Sequence, residues 1–467
     1  MTVDHLAARL SGWQEGSGPL YVRLAGALRT LAETGTLSTG ARLPSERALA
    51  EGVHVSRTTV SAAYARLRDD GWLVGRRGAA PRVGTARPGA GEGTPADPLA
   101  DLFLGGERPR FDLTLAGPAA APAVREALAR PELLLPEGSD SGYRPGGLPA
   151  LAEAIARKLR ADGIAACPEE IVVTNGAQQA LALAAEALRG PRRPVALEAV
   201  TYPGIIDAVR RHGRGHLVAL PVEEAGLDVE AAARLIRATS PAAVYLTTFQ
   251  NPTGRALGPQ EADVLLAAAE AAGTPVVEDR VLADLSLDGG RAPVPLAALR
   301  PGTAVVTVGS LSKVFWGGLR IGWIHTNRTL AAHLRSRRRA LDLGGPAPMQ
   351  AVATWLLEHH YERTRRRRAG QLSRSLAALT DAIESADLGW RFTRPDGGPN
   401  LWVRLPSGSA QAFAARAARR GVAVAAGGTF AVGAGAAGRM LRIPFYLPPD
   451  ELAAAVRVLA EVWRRQR

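Results

Sequence analysis

The first strong pattern along the chain is a helical one. Leucines recur every three or four residues, at Leu20, Leu24, Leu28 and Leu31. This period places them on one face of a helix and predicts an amphipathic helix from about Leu20 to Leu31.

Two shorter helices separated by a tight turn are predicted next. Ser45 is suited to cap a helix over 46–51, and Ser56 is suited to cap a second helix over 57–68. The inward face of the second helix consists of Val60, Tyr64 and Leu67. A glycine ends this helix and a hydrophobic strand begins. Two helices joined by a turn and followed by a hairpin predict a winged helix-turn-helix over residues 1–83.

Beyond residue 111, short apolar runs alternate with alanine-rich helical segments, which predicts an α/β domain. A group of chemical interest follows each of five runs, at Gly176, Tyr202, Asn251, Asp279 and Ser310. Ligands of open α/β sheets bind beyond the carboxyl ends of the strands. We therefore expect these groups to surround one site.

Glycine and proline are dense between the two patterned regions, which predicts a flexible linker with stiff points. The predicted domains are a winged helix-turn-helix over 1–83, a linker over 84–110, and a large domain over 111–467. Within the large domain we expect a large part at about 150–335 and a small part at about 111–149 and 336–467.

Composition narrows the class of protein. No run of about 18 apolar residues suggests a membrane span, and no signal peptide is evident in the first ten residues. The single cysteine, Cys167, fits a reducing cytosol. A net charge of +13 suits a polyanionic partner. We expect a cytosolic protein without a metal site.

Lysine is rare in this chain. Of 57 lysines and arginines, only Lys158 and Lys313 are lysines. Arginine replaces lysine in solvation and often in ion pairs, but it does not form a Schiff base with an aldehyde. Lys158 falls on a helix of ordinary amphipathic pattern. Lys313 lies in a Gly-Ser-Leu-Ser-Lys segment and is a candidate for covalent amine chemistry.

The groups at the strand ends suit a phosphorylated aromatic aldehyde. The segment Gly176-Ala177-Gln178 opens a helix whose free N–H groups can hold a phosphate. Further phosphate ligands are predicted at Ser310, Ser312 and Arg320. A pyridine nitrogen would be kept protonated by Asp279, and Asn251 would bond a phenolic oxygen. Tyr202 would stack on the ring, and Lys313 would bond the aldehyde.

The second short helix opens with polar side chains suited to DNA. Its first turn presents the hydroxyls of Ser56, Thr58 and Thr59 and the guanidinium of Arg57, which can bridge a guanine edge in the major groove. At the wing tip, Arg76 and Arg77 are placed for contact with the DNA backbone or minor groove.

This part of the chain resembles the GntR family of bacterial DNA-binding domains. The resemblance is carried by Gly40-Ala41-Arg42-Leu43-Pro44-Ser45-Glu46-Arg47-Ala48-Leu49-Ala50 and by Val55-Ser56-Arg57-Thr58-Thr59-Val60. It implies DNA contacts from Arg47, Arg57, Thr58, Thr59 and the wing. It also implies a protein of the bacterial cytosol that is associated with the nucleoid when bound to DNA. The chain departs from the family at the wing, where Arg77-Gly78-Ala79-Ala80-Pro81-Arg82 replaces the usual glycine-rich, threonine-containing turn.

The rest of the chain resembles the fold-type I aminotransferases, which bind pyridoxal 5′-phosphate (PLP). The matching segments are Gly142-Tyr143-Arg144-Pro145-Gly146-Gly147, Thr174-Asn175-Gly176-Ala177-Gln178, Asn251-Pro252-Thr253-Gly254, Ser310-Leu311-Ser312-Lys313 and Leu441-Arg442-Ile443-Pro444. The resemblance implies a mostly parallel seven-stranded sheet with flanking helices and a smaller α+β domain. It also implies a homodimer, a Schiff base on Lys313, catalytic help from Asp279, and an α-carboxylate held by Arg442.

The two parts together resemble the MocR subfamily of GntR regulators. The family commonly has a tyrosine shortly after the ring-nitrogen aspartate, but here the stretch is Asp279-Arg280-Val281-Leu282. Transamination is therefore in question. The hypothesis is a PLP-binding transcriptional regulator of an operator in double-stranded DNA, sensing PLP or an amino compound through a Lys313 aldimine. The alternatives are an active aminotransferase carrying a DNA-binding head, and a regulator that senses PLP alone.

Overall fold

The computed structural model describes residues 3–10, 13–14, 19–33, 37, 41–69, 72–74, 81–83, 109–134, 141–190, 193–211, 217–224, 226–287, 292–433 and 437–465. The chain divides into two compact units, Met1–Ala96, here called the head, and Asp97–Arg467, here called the body. The predicted linker spans this division, and most of it lies outside the described residues. No helix within the described ranges is both long and apolar enough to cross a membrane.

The head contains the predicted helix-turn-helix. Its elements are α1 (Val3–Arg9), α2 (Leu20–Glu33), α3 (Glu46–Gly52), α4 (Arg57–Asp69), β1 (Leu73–Val74) and β2 (Arg82–Val83). Both predicted caps are confirmed: Ser45 Oγ accepts from Ala48 N at 3.2 Å, and Ser56 Oγ accepts from Thr59 N at 3.1 Å. The strands β1 and β2 pair antiparallel, as expected of a wing.

One apolar core holds the head together. The buried side chains include Leu24, Leu28, Val60, Tyr64 and Leu67, as the helical period predicted. The hydroxyl of Tyr64 donates to the Pro44 carbonyl at 3.0 Å, so it ties α4 to the residues just before α3. Packing and this hydrogen bond together fix α4 relative to α3.

The body is an α/β domain with two sheets. Its strands are β3 (Phe111–Leu113), β4 (Ile171–Thr174), β5 (Val195–Glu198), β6 (Leu217–Leu220), β7 (Val222–Glu223), β8 (Gly226–Leu227), β9 (Ala243–Thr247), β10 (Val276–Asp279), β11 (Val305–Ser310), β12 (Gly322–His325), β13 (Arg391–Phe392), β14 (Asn400–Arg404), β15 (Val422–Ala426) and β16 (Met440–Pro444). Its helices are α5 (Pro122–Leu128), α6 (Pro131–Leu134), α7 (Pro149–Ala161), α8 (Ala177–Ala187), α9 (Pro203–Arg211), α10 (Val229–Thr239), α11 (Pro259–Ala271), α12 (Leu296–Leu299), α13 (Arg328–Asp342), α14 (Ala347–His359), α15 (Tyr361–Ser385), α16 (Ala410–Ala418) and α17 (Pro449–Arg464).

The larger sheet has seven strands in the order β4-β12-β11-β10-β9-β5-β6. Only β12 runs antiparallel to its neighbours, so the expected mostly parallel sheet is confirmed. Its strands are apolar and buried because helices cover both faces. The carboxyl ends of the parallel strands share one edge, where the predicted polar groups are delivered.

The smaller sheet has the order β13-β14-β16-β15-β3 and packs against α15, α16 and α17. The expected division of the body at 111–149 and 336–467 does not match the packing. Helices α5 and α14 share a core with α7 and the large sheet, because Val124, Val352 and Leu356 bury their side chains there. The small part therefore comprises β3 and the chain from α15 onward.

The position of Lys158 was only partly predicted. It lies on α7, a helix as expected, but its side chain is buried. Its ammonium pairs with Asp162 at 2.8 Å and with Asp284 at 3.2 Å, and it lies 5.0 Å from the centre of the Tyr361 ring. These carboxylates raise the pKa of Lys158 despite its burial. Lys158 is thus paired and charged, unlike a reactive amine.

Candidate functional site

A cavity of about 370 Å³ opens at the carboxyl edge of the large sheet, and we call it the candidate cavity. It is lined by the predicted residues Ala177, Gln178, Tyr202, Asn251, Asp279, Ser312, Lys313, Arg320 and Arg442. The other lining residues include Thr114, Leu115, Ala116, Phe249, Leu282 and Asn400. Side chains far apart in the sequence therefore meet here because their strands end at the same edge.

One end of the candidate cavity is built to hold an anion. Gly176 precedes α8 with φ of 83°, and the first N–H groups of the helix have no intrahelical partner. The guanidinium of Arg320 lies beside this terminus and donates to the Asn175 carbonyl at 2.7 Å. A Cβ on Gly176 would come within 2.4 Å of Arg320, so glycine is required for this approach. Donors and positive charge therefore converge as a phosphate group needs.

The two serines of the Ser-Leu-Ser-Lys segment differ in position. The structure does not bring Ser310 to the cavity wall, since its buried hydroxyl donates to the Ile321 carbonyl at 2.8 Å. That hydroxyl also accepts from the Ser312 backbone N–H at 3.2 Å. Ser310 thus braces the loop, whereas Ser312 lines the cavity.

Lys313 presents its amine to the candidate cavity. The amine donates to the Ala116 carbonyl, and the Tyr446 hydroxyl donates to the carbonyl of Lys313 at 3.5 Å. Burial lowers the pKa of Lys313 to about 8, and the positive charge of Arg442 contributes to the lowering. A larger neutral fraction at neutral pH makes this amine a better nucleophile than an exposed lysine.

Asp279 ends β10 and lines the same cavity. Its Oδ2 accepts from the Tyr245 hydroxyl at 2.7 Å and its Oδ1 accepts from Val281 N at 2.9 Å. Burial raises the pKa of Asp279, while these hydrogen bonds and Lys313 oppose the rise. A carboxylate with two fixed donors is held in one orientation, as a partner for a ring nitrogen must be.

Tyr202 and Asn251 lie on the walls between these groups. The ring of Tyr202 is half-buried, and burial raises the pKa of its hydroxyl to about 12, so the hydroxyl stays neutral. The Asn251 side chain accepts from the Asn400 amide at 3.3 Å. Both side chains are therefore available to an aromatic ligand, one as a flat surface and the other as a polar group.

Arg442 is a buried cation at the far side of the cavity, 2% exposed. Its guanidinium donates to the Thr114 carbonyl and lies 4.6 Å from the centre of the Phe430 ring. Its Nε has no hydrogen-bond partner among the described residues. Burial lowers the pKa of Arg442 to about 9. An incompletely bonded guanidinium facing a cavity is suited to a carboxylate.

The polar end of α4 is exposed in the head. Ser56, Arg57 and Thr58 are exposed and Thr59 is half-buried, and the Ser56 hydroxyl lies 2.7 Å from that of Thr58. Arg47 is exposed and pairs with Glu51 at 3.0 Å, which is a weak interaction at a surface. The two predicted wing residues, Arg76 and Arg77, lie outside the described residues.

Sequence reasoning missed several groups in the body. They include the Tyr245 hydroxyl behind Asp279, the Phe430 ring beneath Arg442, and the carbonyls of Thr114 and Ala116. Each lies in an ordinary apolar or small-residue segment, so residue type alone gave no signal. Only the parallel pairing of β9 with β10 places Tyr245 beside the strand that carries Asp279.

Comparison with known proteins gives a family for each unit. Residues 113–459 match the family Aminotransferase class I and II, and residues 20–83 match Bacterial regulatory proteins, gntR family. The chain is 31% identical over 365 residues to a 2-aminoadipate transaminase of Thermus thermophilus, covering 77% of this chain and 89% of the relative. It is 31% identical over 453 residues to the HTH-type transcriptional regulator TauR of Rhodobacter capsulatus, covering 89% of this chain and 90% of the relative.

Solved structures agree with the fold of the body. The crystal structure of LysN, an alpha-aminoadipate aminotransferase from Thermus thermophilus complexed with N-(5′-phosphopyridoxyl)-L-leucine, has a TM-score of 0.69 and 30% identity. The match covers 75% of this chain and 91% of LysN.

Class I and II aminotransferase domains are PLP domains, and the candidate cavity fits that cofactor. The glycine-dependent anion cradle at α8 suits the phosphate, Asp279 suits the ring nitrogen, and Lys313 suits the aldehyde. The chain belongs to the aminotransferase class I and II family and carries a GntR-family DNA-binding domain at its N-terminus, the arrangement of MocR-type transcriptional regulators.

Proposed function

We propose that this protein is a transcriptional regulator that binds an operator in double-stranded DNA and senses PLP, or an amino compound, in its body. One observation carries the proposal. A single chain joins a GntR head, whose polar helix end is exposed at Arg57 and Thr58, to a cavity lined by Lys313 and Arg442. We further propose a linker at 84–110 and action on the nucleoid of a bacterial cytosol.

In this proposal, different residues of the body hold different parts of the ligand. Arg320, Ser312 and the start of α8 hold the phosphate, and Asp279 holds the ring nitrogen in its protonated form. When bound, the cofactor supplies an aldehyde carbon that bonds covalently to amines and an electron-withdrawing ring. Lys313 offers an amine whose pKa of about 8 favours the neutral nucleophile.

An amino compound with a carboxylate would change the contacts around Arg442. That guanidinium now donates to the carbonyl of Thr114, and the Lys313 amine donates to the carbonyl of Ala116. A ligand's carboxylate would replace the Thr114 carbonyl on Arg442. The segment after β3 would then have different partners in the free and bound states, and ligand control requires such a difference.

Footprinting on the DNA upstream of the protein's own gene tests the DNA-binding part. We expect protection of two half-sites whose centres are about one helical turn, or a multiple of it, apart. An Arg57→Ala variant should lose the protected region while keeping the folded head. Absence of any protected site, with the wild-type protein, would contradict the proposed operator.

We also propose that the protein is a homodimer. Three large apolar side chains are exposed on neighbouring segments of the body: Tyr143 in a loop at 64%, Leu341 in the last turn of α13 at 63%, and Leu343 just after that helix at 49%. A bridge between Arg144 and Gly344 places these segments side by side. An exposed apolar patch of this kind supports a protein interface.

A working aminotransferase is the second candidate. The observation in its favour is that Lys313, Asp279 and Arg442 all line one cavity, so each group needed for amino transfer is present. A ping-pong reaction between an amino donor and a 2-oxo acid would establish turnover. Failure to convert a broad panel of donors, with PLP bound, would leave the sensing role.

A regulator that senses PLP alone is the third candidate. Titration of the PLP-bound protein with a panel of amino acids and amines distinguishes it from an amino-compound sensor. Replacement of the Lys313 amine by a ligand amine changes the visible absorption band. An unchanged band with every compound would favour PLP as the signal.

A further inference from the structure

Tyr245 lies behind the candidate cavity and contacts Asp279 directly. It is in β9, which pairs in parallel with β10, and its side chain is 1% exposed. Its hydroxyl donates to Asp279 Oδ2 at 2.7 Å. Tyr245 does not line the cavity. Its direct link to the cavity is therefore the hydrogen bond to Asp279.

The Tyr245 hydroxyl is a dependable donor because it stays neutral. Burial, the adjacent Asp279 and the nearby Glu198 all raise the pKa of Tyr245 well above its usual value. Glu198 is itself buried and accepts from Thr247 N at 3.1 Å, and burial raises its pKa to about 8. A neutral phenol next to a carboxylate has one stable arrangement, in which the phenol donates and the carboxylate accepts.

The surroundings of Asp279 show what this donor must oppose. Burial favours the protonated acid, and the cation that favours the carboxylate is Lys313, which lines the same cavity. The donors fixed on Asp279 by the protein are Val281 N and the Tyr245 hydroxyl. The other titratable groups near this carboxyl are Tyr202, Glu198 and Glu278. The charge of Asp279 contributes to raising the pKa of each of them.

We propose that Tyr245 is the positioning residue for Asp279, holding its carboxylate ionised and directed at the ring nitrogen of the cofactor. This inference rests on the proposed role of Asp279. The residues after Asp279 include no tyrosine in the described stretch 280–287, so the tyrosine that in the family bonds the phenolic oxygen of the cofactor is absent there. Tyr245 supplies a phenol to the other end of the ring, through the carboxylate.

The test is a Tyr245→Phe variant of the full-length protein loaded with PLP. Removing the donor raises the pKa of Asp279, so the carboxylate becomes protonated at a higher pH. We expect PLP to bind about tenfold more weakly on the acid limb of the pH profile, which corresponds to a movement of that limb by about one pH unit. The acid limb of the pH profile of PLP binding should move to higher pH, as measured by absorbance and fluorescence titration.

Two comparisons separate positioning from general loss of stability. Tyr361→Phe removes another buried tyrosine hydroxyl, on α15 and outside the cavity lining, and should leave the pH profile unchanged. Asp279→Asn should weaken PLP binding by itself, and adding Tyr245→Phe to it should weaken binding no further. The carboxylate through which Tyr245 acts is then already gone.

A second variant keeps the test decisive if Tyr245→Phe folds poorly. Replacing Tyr245 by 3-fluorotyrosine makes the phenol a stronger donor, so the acid limb should move to lower pH. An unmoved limb with both variants, when Asp279→Asn weakens PLP binding, would overturn the role of Tyr245. If the Asp279→Asn variant binds PLP as tightly as the wild type, the proposed role of Asp279 is wrong. The role of Tyr245, which rests on it, then fails for that reason.

Discussion

Burial sets the properties of the charged side chains that line the candidate cavity. It lowers the pKa of Lys313 to about 8 and that of Arg442 to about 9, and it raises that of Asp279. Each shift favours the neutral form of its group. Only Lys313 gains from this change, because the neutral amine is its reactive form. Arg442 remains charged at neutral pH because its pKa of about 9 lies above neutrality, and the ionised form of Asp279 is favoured by its hydrogen bonds and by Lys313.

The first prediction concerns which residue type at position 313 can bond PLP covalently. Lys313→Ala and Lys313→Arg should both abolish covalent attachment of PLP, because guanidinium is not an amine nucleophile. Borohydride reduction followed by peptide mass spectrometry measures the attachment. The matched variant Lys158→Arg should keep it, since Lys158 is paired with Asp162 and Asp284. Label found elsewhere than on residue 313 would contradict the prediction.

The second prediction concerns the pH dependence of PLP attachment. The deprotonated amine reacts, so the rate should rise as pH increases toward the pKa of Lys313, about 8, and should level off above it. An ordinary lysine would give a rate that rises until pH is about 10. Stopped-flow absorbance of the cofactor-free protein mixed with PLP measures this. A rate still rising steeply between pH 9 and pH 10 would contradict the lowered pKa.

At the scale of elements, the site depends on how closely β12 approaches the start of α8. A Cβ on Gly322 would come 2.6 Å from the carbonyl carbon of Gly176 and 2.8 Å from Ala177 N. Backbone lies on both sides of this contact, so neither side yields as a flexible side chain would. The anion cradle therefore requires glycine at the first residue of β12.

The third prediction follows from that contact. Gly322→Ala should move the start of α8 and weaken PLP binding by about 10- to 100-fold, equivalent to the loss of one charge-assisted hydrogen bond. Gly428→Ala is the matched control, because a Cβ there meets no atom within 4 Å. Fluorescence titration with PLP compares the two. Equal affinities in the two variants would show that the cradle tolerates the added carbon.

The sequence predicted the elements, and it predicted that most of the strand-end groups meet at one edge of the sheet, for a physical reason. Amphipathic periods and strand-end polar groups are local patterns, and parallel strands bring their ends to one edge whatever the details of packing. The roles of Tyr245 and Ser310 were not predictable in this way. Tyr245 reads as a core aromatic in a buried strand, and the hydroxyl of Ser310 turns to the Ile321 carbonyl instead of the cavity.

The division of the body was also mispredicted from sequence. Helix α14 follows α13 in the chain after a short turn. Its sequence does not indicate which helices it packs against. Its apolar face, with Val352 and Leu356, packs with α5 and α7, which lie near the start of the body. Such long-range packing depends on tertiary fit and is not encoded in any local period.

At the scale of the whole molecule, the proposed dimer rests on the exposed loops near Tyr143 and Leu343. The fourth prediction is that a double variant, Leu341→Asp with Leu343→Asp, is monomeric. Charge placed in a desolvated apolar interface is strongly unfavourable. Sedimentation equilibrium measures the mass. Val294→Asp, at an apolar residue 48% exposed elsewhere in the body, should stay dimeric.

The central claim is that a ligand in the body changes the affinity of the head for DNA. The direct measurement is the Kd of the purified protein for its own upstream DNA, with and without PLP, at one salt concentration. Arg57→Ala controls for DNA contact, and Lys313→Ala controls for the covalent ligand. Coupled binding predicts that PLP changes the wild-type Kd by about 5- to 150-fold. It also predicts a much smaller change for Lys313→Ala. A wild-type Kd that is unchanged by PLP, and by every amino compound added with it, would contradict the claim.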